Sequence, residues 1–391
     1  MIIAITTFIT LVMISLDFIA CRRLRGNATK KVFKWTFLSV LSISYMSILL
    51  IPVLMHSITD MADSIVAMKT MMCLLTAALA LSLPRMLFYF IWLPTSRKSL
   101  MRVGVSVSSI MFVYILCSIF FTRTNYKVNE IEIPFRNLPA AFDGYRVALI
   151  SDIHVGTMIS PIEELGEIVG IINGCGADML LFGGDMVNMH NVEVTESIVA
   201  VLSHLKAHDG VFMVLGNHDT GAYIKGLDKA GREANMHSLQ SKMQRAGWCV
   251  LRDSTVYVHR GTDSIAVTGV DYSDRLLEFR HSMEAIDGVY FGHIYNNVPD
   301  SIFNITLSHL PQLWQLLCDG GYCDLTLSGH IHAMQMKICG FSPAKYMYKE
   351  WSGLYENENG KLYINDGIGC VGYLARFGAR PEITVITLKC E

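Results

Sequence analysis

YRVALISDIHVG, residues 145–156, begins as an apolar run and breaks on Asp152 and His154. A short apolar run rich in Val, Leu and Ile reads as a strand covered on both faces. Seven further runs share its texture, at 178–184, 210–216, 264–270, 302–308, 323–329, 361–365 and 382–388. Helical stretches fall between them. One is PIEELGEIVGIING, 161–174, whose Pro161 suits a first helical turn. The pattern predicts an α/β sandwich, and about 260 residues suffice for a large buried core.

Polar residues recur in one place, immediately after a predicted strand. Asp152 and His154 follow the first run and Asp185 the second. Asn217 and His218 follow the third, His309 follows IFNITLS, and His330 and His332 follow CDLTLSG. Ligands of α/β sheets gather at the carboxyl ends of strands, so five such ends predict one convergent site. The donors are hard carboxylate and amide oxygens with borderline imidazole nitrogens, and no thiolate. That set suits Mn, Fe, Zn or Co. Seven ligands exceed the needs of one tetrahedral ion and fit two ions that share a carboxylate. Asp152 and His154, like His330 and His332, are spaced by two, so an extended backbone would aim each pair the same way. Gly183, Gly184, Gly216 and Gly329 precede ligands and would permit sharp turns off the strands.

The ordered series SDIHVG (151–156), GGD (183–185), GNHD (216–219), SHLP (308–311) and SGHIH (328–332) resembles the calcineurin-like metallophosphoesterase family. The tail LYINDGIGCVGYLARFGARPEITVITL resembles the close of its membrane-associated, YkuE-like and YaeI-like branch. The resemblance implies a four-layer β-sandwich flanked by helices over residues 143–391. It also implies roles. Asp152, His154 and His332 would hold one divalent ion, Asn217, His309 and His330 a second, and Asp185 would bridge them. His218 would protonate the leaving oxygen and Asp219 would orient His218. The nucleophile would be water activated between the ions, with no covalent phosphoenzyme. Two departures stand out. GHIHAMQ replaces a usual GHTHGGQ, so Ala333 and Met334 stand at glycine positions. Asp366 follows Asn365 in the tail, adding an acid either to the substrate path or to a solvated face.

The first third has a different composition. The whole chain of 391 residues is 52% hydrophobic and 17% charged, against about 25% charged for a typical soluble domain. The excess apolar residues lie in segments 2–20, 35–55, 65–92 and 103–121, each long enough to cross a bilayer. We expect a four-helix transmembrane anchor at 1–122, a linker at 123–142 and the catalytic domain at 143–391. Segment one has no Lys or Arg before its apolar core, the reverse of a cleaved signal peptide. Lys69 and Arg85 are expected to mark interfacial ends of segment three, with Phe88, Tyr89, Phe90 and Trp92 in an aromatic belt. No acidic residue is expected at mid-depth, so the segments read as a passive anchor.

Basic residues crowd the first and third loops: Arg22, Arg23, Arg25, Lys30, Lys31 and Lys34, then Arg97, Lys98 and Arg102. The second loop carries Asp60 and Asp63 instead. Basic loops stay in the cytoplasm, which places the catalytic domain outside a multi-pass protein of the inner or plasma membrane. Arg123 and Lys127 count against that orientation, as do seven scattered cysteines in the C-terminal region, an odd number for an oxidising exterior.

The expected activity is hydrolysis of a phosphodiester, lipid-linked or from the cell envelope, with membrane lipids as partners. A net charge of −2 gives no support to nucleic-acid binding. Two alternatives stay open. One is a pyrophosphatase on the cytoplasmic face acting on a nucleotide-linked lipid precursor. The other is a non-enzymatic assembly protein, which the intact ligand series argues against. Asp271, with Arg275, reads as a border of the site or as a turn residue, while Trp314, Trp351 and Tyr373 read first as buried packing and second as the lining of an apolar substrate groove.

Overall fold

A computed structural model describes residues 2–24, 40–41, 43–46, 48–51, 61–95, 97–272 and 288–391. The chain divides into two compact units, Met1–Phe121 with Gly372–Ala375, and Thr122–Val371 with Arg376–Glu391.

The first unit is helical. Among the described residues it contains α1 (Ile2–Leu24), α2 (Met61–Trp92) and α3 (Lys98–Phe120), and residues 40–41, 43–46 and 48–51 are helical too. Among the described residues, two spans, Ser64–Trp92 and Lys98–Thr124, are long and apolar enough to cross a membrane. Much of the second expected segment, with the first and second loops, lies outside the described residues. The expected interfacial Arg85 needs correction. Asp17 of α1 is buried and accepts hydrogen bonds from the hydroxyls of Tyr45 and Tyr89. Arg85 is buried beside it, Nε 3.5 Å from Asp17 Oδ1. Arg85 therefore faces a counter-charge inside the helical unit and does not snorkel outward. Tyr89 and Trp92 are buried against Ala20, while Phe90 is 76% exposed. The aromatic run is thus split between packing and surface.

The second unit is built on two six-stranded sheets. The first has the order β1-β12-β2-β3-β4-β5. These strands are β1 (Lys127–Phe135), β2 (Arg146–Ile150), β3 (Met179–Phe182), β4 (Val211–Met213), β5 (Cys249–Val250) and β12 (Glu382–Cys390). The second has the order β10-β11-β9-β8-β7-β6. Its strands are β6 (Ser254–Arg260), β7 (Asp263–Val270), β8 (Asn304–Ser308), β9 (Leu325–Ser328), β10 (Gly353–Asn357) and β11 (Gly360–Ile364). β2 to β5 run parallel, as do β7, β8, β9 and β11.

Alternate residues of each strand face opposite layers. Val147, Leu149 and Leu181 meet Val267, Ile305, Leu307 and Leu327 in the core between the sheets. The other face of the first sheet, with Ala148, Ile150, Leu180 and Phe182, packs on helices α4 (Pro161–Gly174), α5 (Glu196–Leu202) and α6 (Lys229–Arg245). The second sheet packs outward on α7 (Gly288–Tyr295) and α8 (Trp314–Asp319). The result is a helix–sheet–sheet–helix stack of four layers.

The expected linker needs correction. Residues 127–135 form β1, which pairs in parallel with β12 along its whole length. The unit also begins earlier, since Arg123 is buried in a two-pronged ion pair with Glu164, at 2.9 and 3.1 Å. Glu164 Oε1 accepts in addition the backbone N–H groups of Ile159 and Ser160, which fixes the start of α4. Arg123→Ala would strand a buried carboxylate, and such losses cost on the order of 3 kcal/mol. A fall of several degrees in the melting midpoint of the purified full chain is expected. Adding Glu164→Gln to that variant should recover part of it.

All ten cysteines are free thiols, including the buried Cys318 and Cys323.

Candidate metal centre

The carboxyl ends of β2, β3, β4, β8 and β9 all open at one edge of the sandwich. Asp152 and His154 come from the β2 end, Asp185 from β3, Asn217 from β4, His309 from β8, and His330 and His332 from β9. All are buried except His330, which is half-buried.

The seven side chains form two groups around one carboxylate. His332 Nε2 lies 3.1 Å from Asp152 Oδ1 and 3.3 Å from His154 Nε2. His309 Nε2 lies 3.0 Å from Asn217 Oδ1 and 3.2 Å from His330 Nδ1. Asp185 Oδ2 stands between them, 3.7 Å from His154 Nε2 and 3.2 Å from His309 Nε2. The potential ligand atoms of Asp152, His154 and His332 lie within 4.8 Å of one another, and so do those of Asp185, His309 and His330. The donor set fits divalent ions. Each imidazole pair brings two ring nitrogens to hydrogen-bond distance, and a pair can share only one proton. A cation accepts a lone pair from every one of them. The orienting contact is present at His309, whose Nδ1–H donates to Gly183 O at 2.7 Å and so leaves Nε2 to ligate.

Charge follows the same layout. Burial would raise Asp185, but His309 and His218 beside it hold its carboxyl well below the usual range. Burial opposes charge on His309, yet Asp185 prevails and pushes it up to about 9. Burial holds His154 and His218 below the ordinary histidine range.

Backbone conformation at the site differs from the expected extended pairs. Asp152, His154, Asp185, His330 and His332 all have positive φ, between 47° and 74°. Left-handed backbone at non-glycine residues costs about 1–3 kcal/mol and clusters at functional sites. The glycines also act differently from expectation. Gly184 has φ +94, but a Cβ on Gly216 would lie 2.1 Å from Asp185 Oδ1, and one on Gly329 2.3 Å from Asp152 Oδ2. Those two are needed for close approach to the carboxylates.

The GHIHAMQ loop is left-handed from His332 to Gln335, with Ala333 at φ 48, ψ 30 and Met334 at φ 49, ψ 31. Glycine at these positions would adopt that backbone freely. Ala333→Gly is therefore expected to stabilise the protein by about 0.5–1 kcal/mol, the left-handed penalty less glycine's extra chain entropy. A raised denaturation midpoint would register it.

Asp219 does not orient His218. Its carboxylate accepts three backbone N–H groups, from Asp185 (2.8 Å), Val187 (3.0 Å) and Gly216 (2.9 Å), and so ties the β3 and β4 ends together. His218 is oriented instead by Asn188, whose carbonyl accepts from Nδ1–H at 2.7 Å. The loop behind Asn188 is pinned by Glu193, which accepts the N–H groups of Asn188 and Met189. His218 N–H donates to Asp185 Oδ1 at 2.8 Å, so the bridging carboxylate also locates this residue.

Three residues were missed from the sequence. Arg376 is wholly buried, its guanidinium held by the carbonyls of Asp366, Gly369 and Ala379, with Nη2 3.5 Å from His332 Nδ1. Tyr223 and the carbonyl-bearing Asn188 are the others. Asp366 is buried and pairs with Lys337 Nζ at 3.0 Å, so it does not face solvent. Asp271 pairs with Arg252 Nε at 2.8 Å. Arg275 lies outside the described residues. Trp314 and Trp351 pack on the core beneath the second sheet.

A two-sheet sandwich with a histidine and carboxylate cluster at its strand ends defines a metallohydrolase-like architecture. Residues 145–334 match the family model of calcineurin-like phosphoesterases. Over those residues the chain carries a calcineurin-like metallophosphoesterase domain, a domain family of metal-dependent phosphoester hydrolases. The chain is 27% identical to the uncharacterized metallophosphoesterase YkuE of Bacillus subtilis, over 67% of this chain and 85% of the relative. It is 30% identical to a Danio rerio protein named as a transmembrane protein with metallophosphoesterase domain, over 67% of this chain and 57% of that one. An uncharacterized metallophosphoesterase of Aquifex aeolicus is 26% identical, over 71% and 98%.

Proposed function

We propose that the protein is a membrane-anchored phosphoesterase with two divalent ions that hydrolyses a phosphodiester at the membrane surface. The observation that carries this reading is the pair of ligand groups sharing Asp185. Asp152, His154 and His332 would hold one ion and Asn217, His309 and His330 the other. Two such ions supply Lewis acidity at phosphorus and an activated water at neutral pH. The protein's own part is placement. His218 is fixed by Asn188 O and Asp185 at the mouth of the cluster, where its Nε2 can give a proton to the departing oxygen.

The membrane part of the reading is a four-span anchor with the catalytic domain outside. It is supported by two spans of sufficient length and by the transmembrane name of the Danio rerio relative. Arg123 weighs little against that orientation, because its charge is taken up by Glu164. Only a few residues separate the end of the last span at Thr124 from β1 at Lys127, which favours a substrate held at the lipid surface. A second reading places the domain inside, as a pyrophosphatase on a nucleotide-linked lipid precursor. The odd number of cysteines, seven, in the C-terminal region favours it, since complete pairing there is impossible. A reporter fused to the C-terminus separates the two by sidedness.

The test of the central reading is made on the purified full chain in detergent. Metal content is measured beside hydrolysis of bis-p-nitrophenyl phosphate and p-nitrophenyl phosphate. Two ions per chain with faster diester cleavage is the expected result. A chain that takes up no divalent ion would overturn it.

A further inference from the structure

We infer that Tyr223 is a positioning residue of the metal centre, holding the Asn217 amide with Oδ1 toward the second ion. The inference rests on the dinuclear reading above.

An asparagine can ligate a cation only through Oδ1, because its NH₂ group has no lone pair to offer. The two ends of the amide are nearly equal in shape, so packing alone does not choose between them. The partners at its two ends together must. Asn217 is buried, and its Nδ2–H donates to the Tyr223 hydroxyl oxygen at 2.7 Å. That contact turns Oδ1 inward, where it lies 3.0 Å from His309 Nε2 among the ligands of the second group. A flipped amide would turn Oδ1 onto the tyrosine hydroxyl, which can donate to it, but would present N–H donors to the cation, so cation and tyrosine together favour the ligating orientation.

Tyr223 is itself held on a short anchored turn. Gly221 at its start has φ +76, and Ile224 is buried with its N–H on Gly221 O. Asn235 Nδ2–H donates to Asp219 O at 2.6 Å and ties the stretch before the turn to α6. The ring of Tyr223 lies over His218, centroids 4.4 Å apart with 31° between planes. The side chain is 38% exposed, so it stands at the mouth of the site. One side chain thus touches a ligand of the second ion through its hydroxyl and the proton donor through its ring. The sequence gives no hint of this, since Tyr223 lies outside the GNHD motif.

The experiment is a calorimetric Mn²⁺ titration of the chelator-stripped full chain. Wild type, Tyr223→Phe and Asn217→Ala are compared, each with its metal-free melting midpoint. The phenylalanine variant keeps the ring and removes the hydroxyl. Groups that orient a metal ligand are worth about 10–100-fold in metal affinity. Tyr223→Phe is expected to weaken the Asn217-dependent ion by that factor, leaving the other ion and the metal-free midpoint as in wild type. Wild-type affinity for both ions in Tyr223→Phe would overturn the inference while leaving the dinuclear reading intact. A wild-type chain that binds no Mn²⁺ would overturn both.

Discussion

Asp185→Ala is expected to leave the protein without either ion and to lower phosphoester hydrolysis by about 10³-fold or more. Asp185 Oδ2 is the atom common to both ligand groups, 3.7 Å from His154 Nε2 and 3.2 Å from His309 Nε2. Its other oxygen accepts the His218 N–H at 2.8 Å. Removal therefore takes a negative charge from both ions at once and releases the residue assigned to proton transfer. Two-ion catalysis supplies several kcal/mol of transition-state stabilisation, and about 4 kcal/mol corresponds to the stated factor. Asp152→Ala, in contrast, removes a ligand from one group only. It is expected to lower occupancy by one ion and to retain the other. Metal analysis of the two variants on the same preparation decides the matter. Two ions retained in Asp185→Ala would remove the bridge from the assignment. The metal-free protein should tolerate this change better than it tolerates Arg123→Ala. Asp185 has histidine partners that can shed their protons, whereas Arg123 leaves behind a buried carboxylate.

The strand framework was legible because it is written in side chains. All eight expected strands are present, since covered parallel strands must be apolar throughout. β1 was passed over because KVNEIEIPF alternates, with acids on one face and Ile131, Ile133 and Phe135 on the other, as suits a sheet edge. Asp17 was overlooked for a similar reason. One acid in a long apolar helix has no periodic signature, and only its partners Tyr45, Arg85 and Tyr89, far apart in sequence, make its burial intelligible. At the metal centre the ligand types and their order were visible, because donor chemistry restricts them to Asp, Asn and His. What holds those ligands was not. The carbonyl of Asn188 and the N–H groups taken by Asp219 belong to the backbone, which every residue carries. Arg376 could not be anticipated either, because arginine is almost never fully buried unless paired. Here its partners are carbonyls created by the fold of the tail.

His218→Ala should keep both ions and lose activity in proportion to how badly the leaving oxygen needs a proton. A loss of about 10²–10⁴-fold is expected for alkyl phosphodiesters, the range attributed to a positioned general acid. For nitrophenyl esters, whose leaving group departs as a stable anion, only a small effect is expected. The geometry gives the reason. A carbonyl can only accept, so the contact at Asn188 O places a proton on Nδ1 of His218 and leaves Nε2 for the substrate. Burial holds the free residue below the ordinary histidine range. A phosphate anion beside Nε2 supplies the opposite charge that favours the doubly protonated ring. The acid would therefore be assembled by the substrate it serves. Asp219→Asn provides the contrast. Its carboxylate holds the backbone of Asp185, Val187 and Gly216 and does not touch the proton path. That variant should depress alkyl and nitrophenyl esters alike. Equal losses for both ester types in His218→Ala would assign His218 to binding rather than to proton transfer.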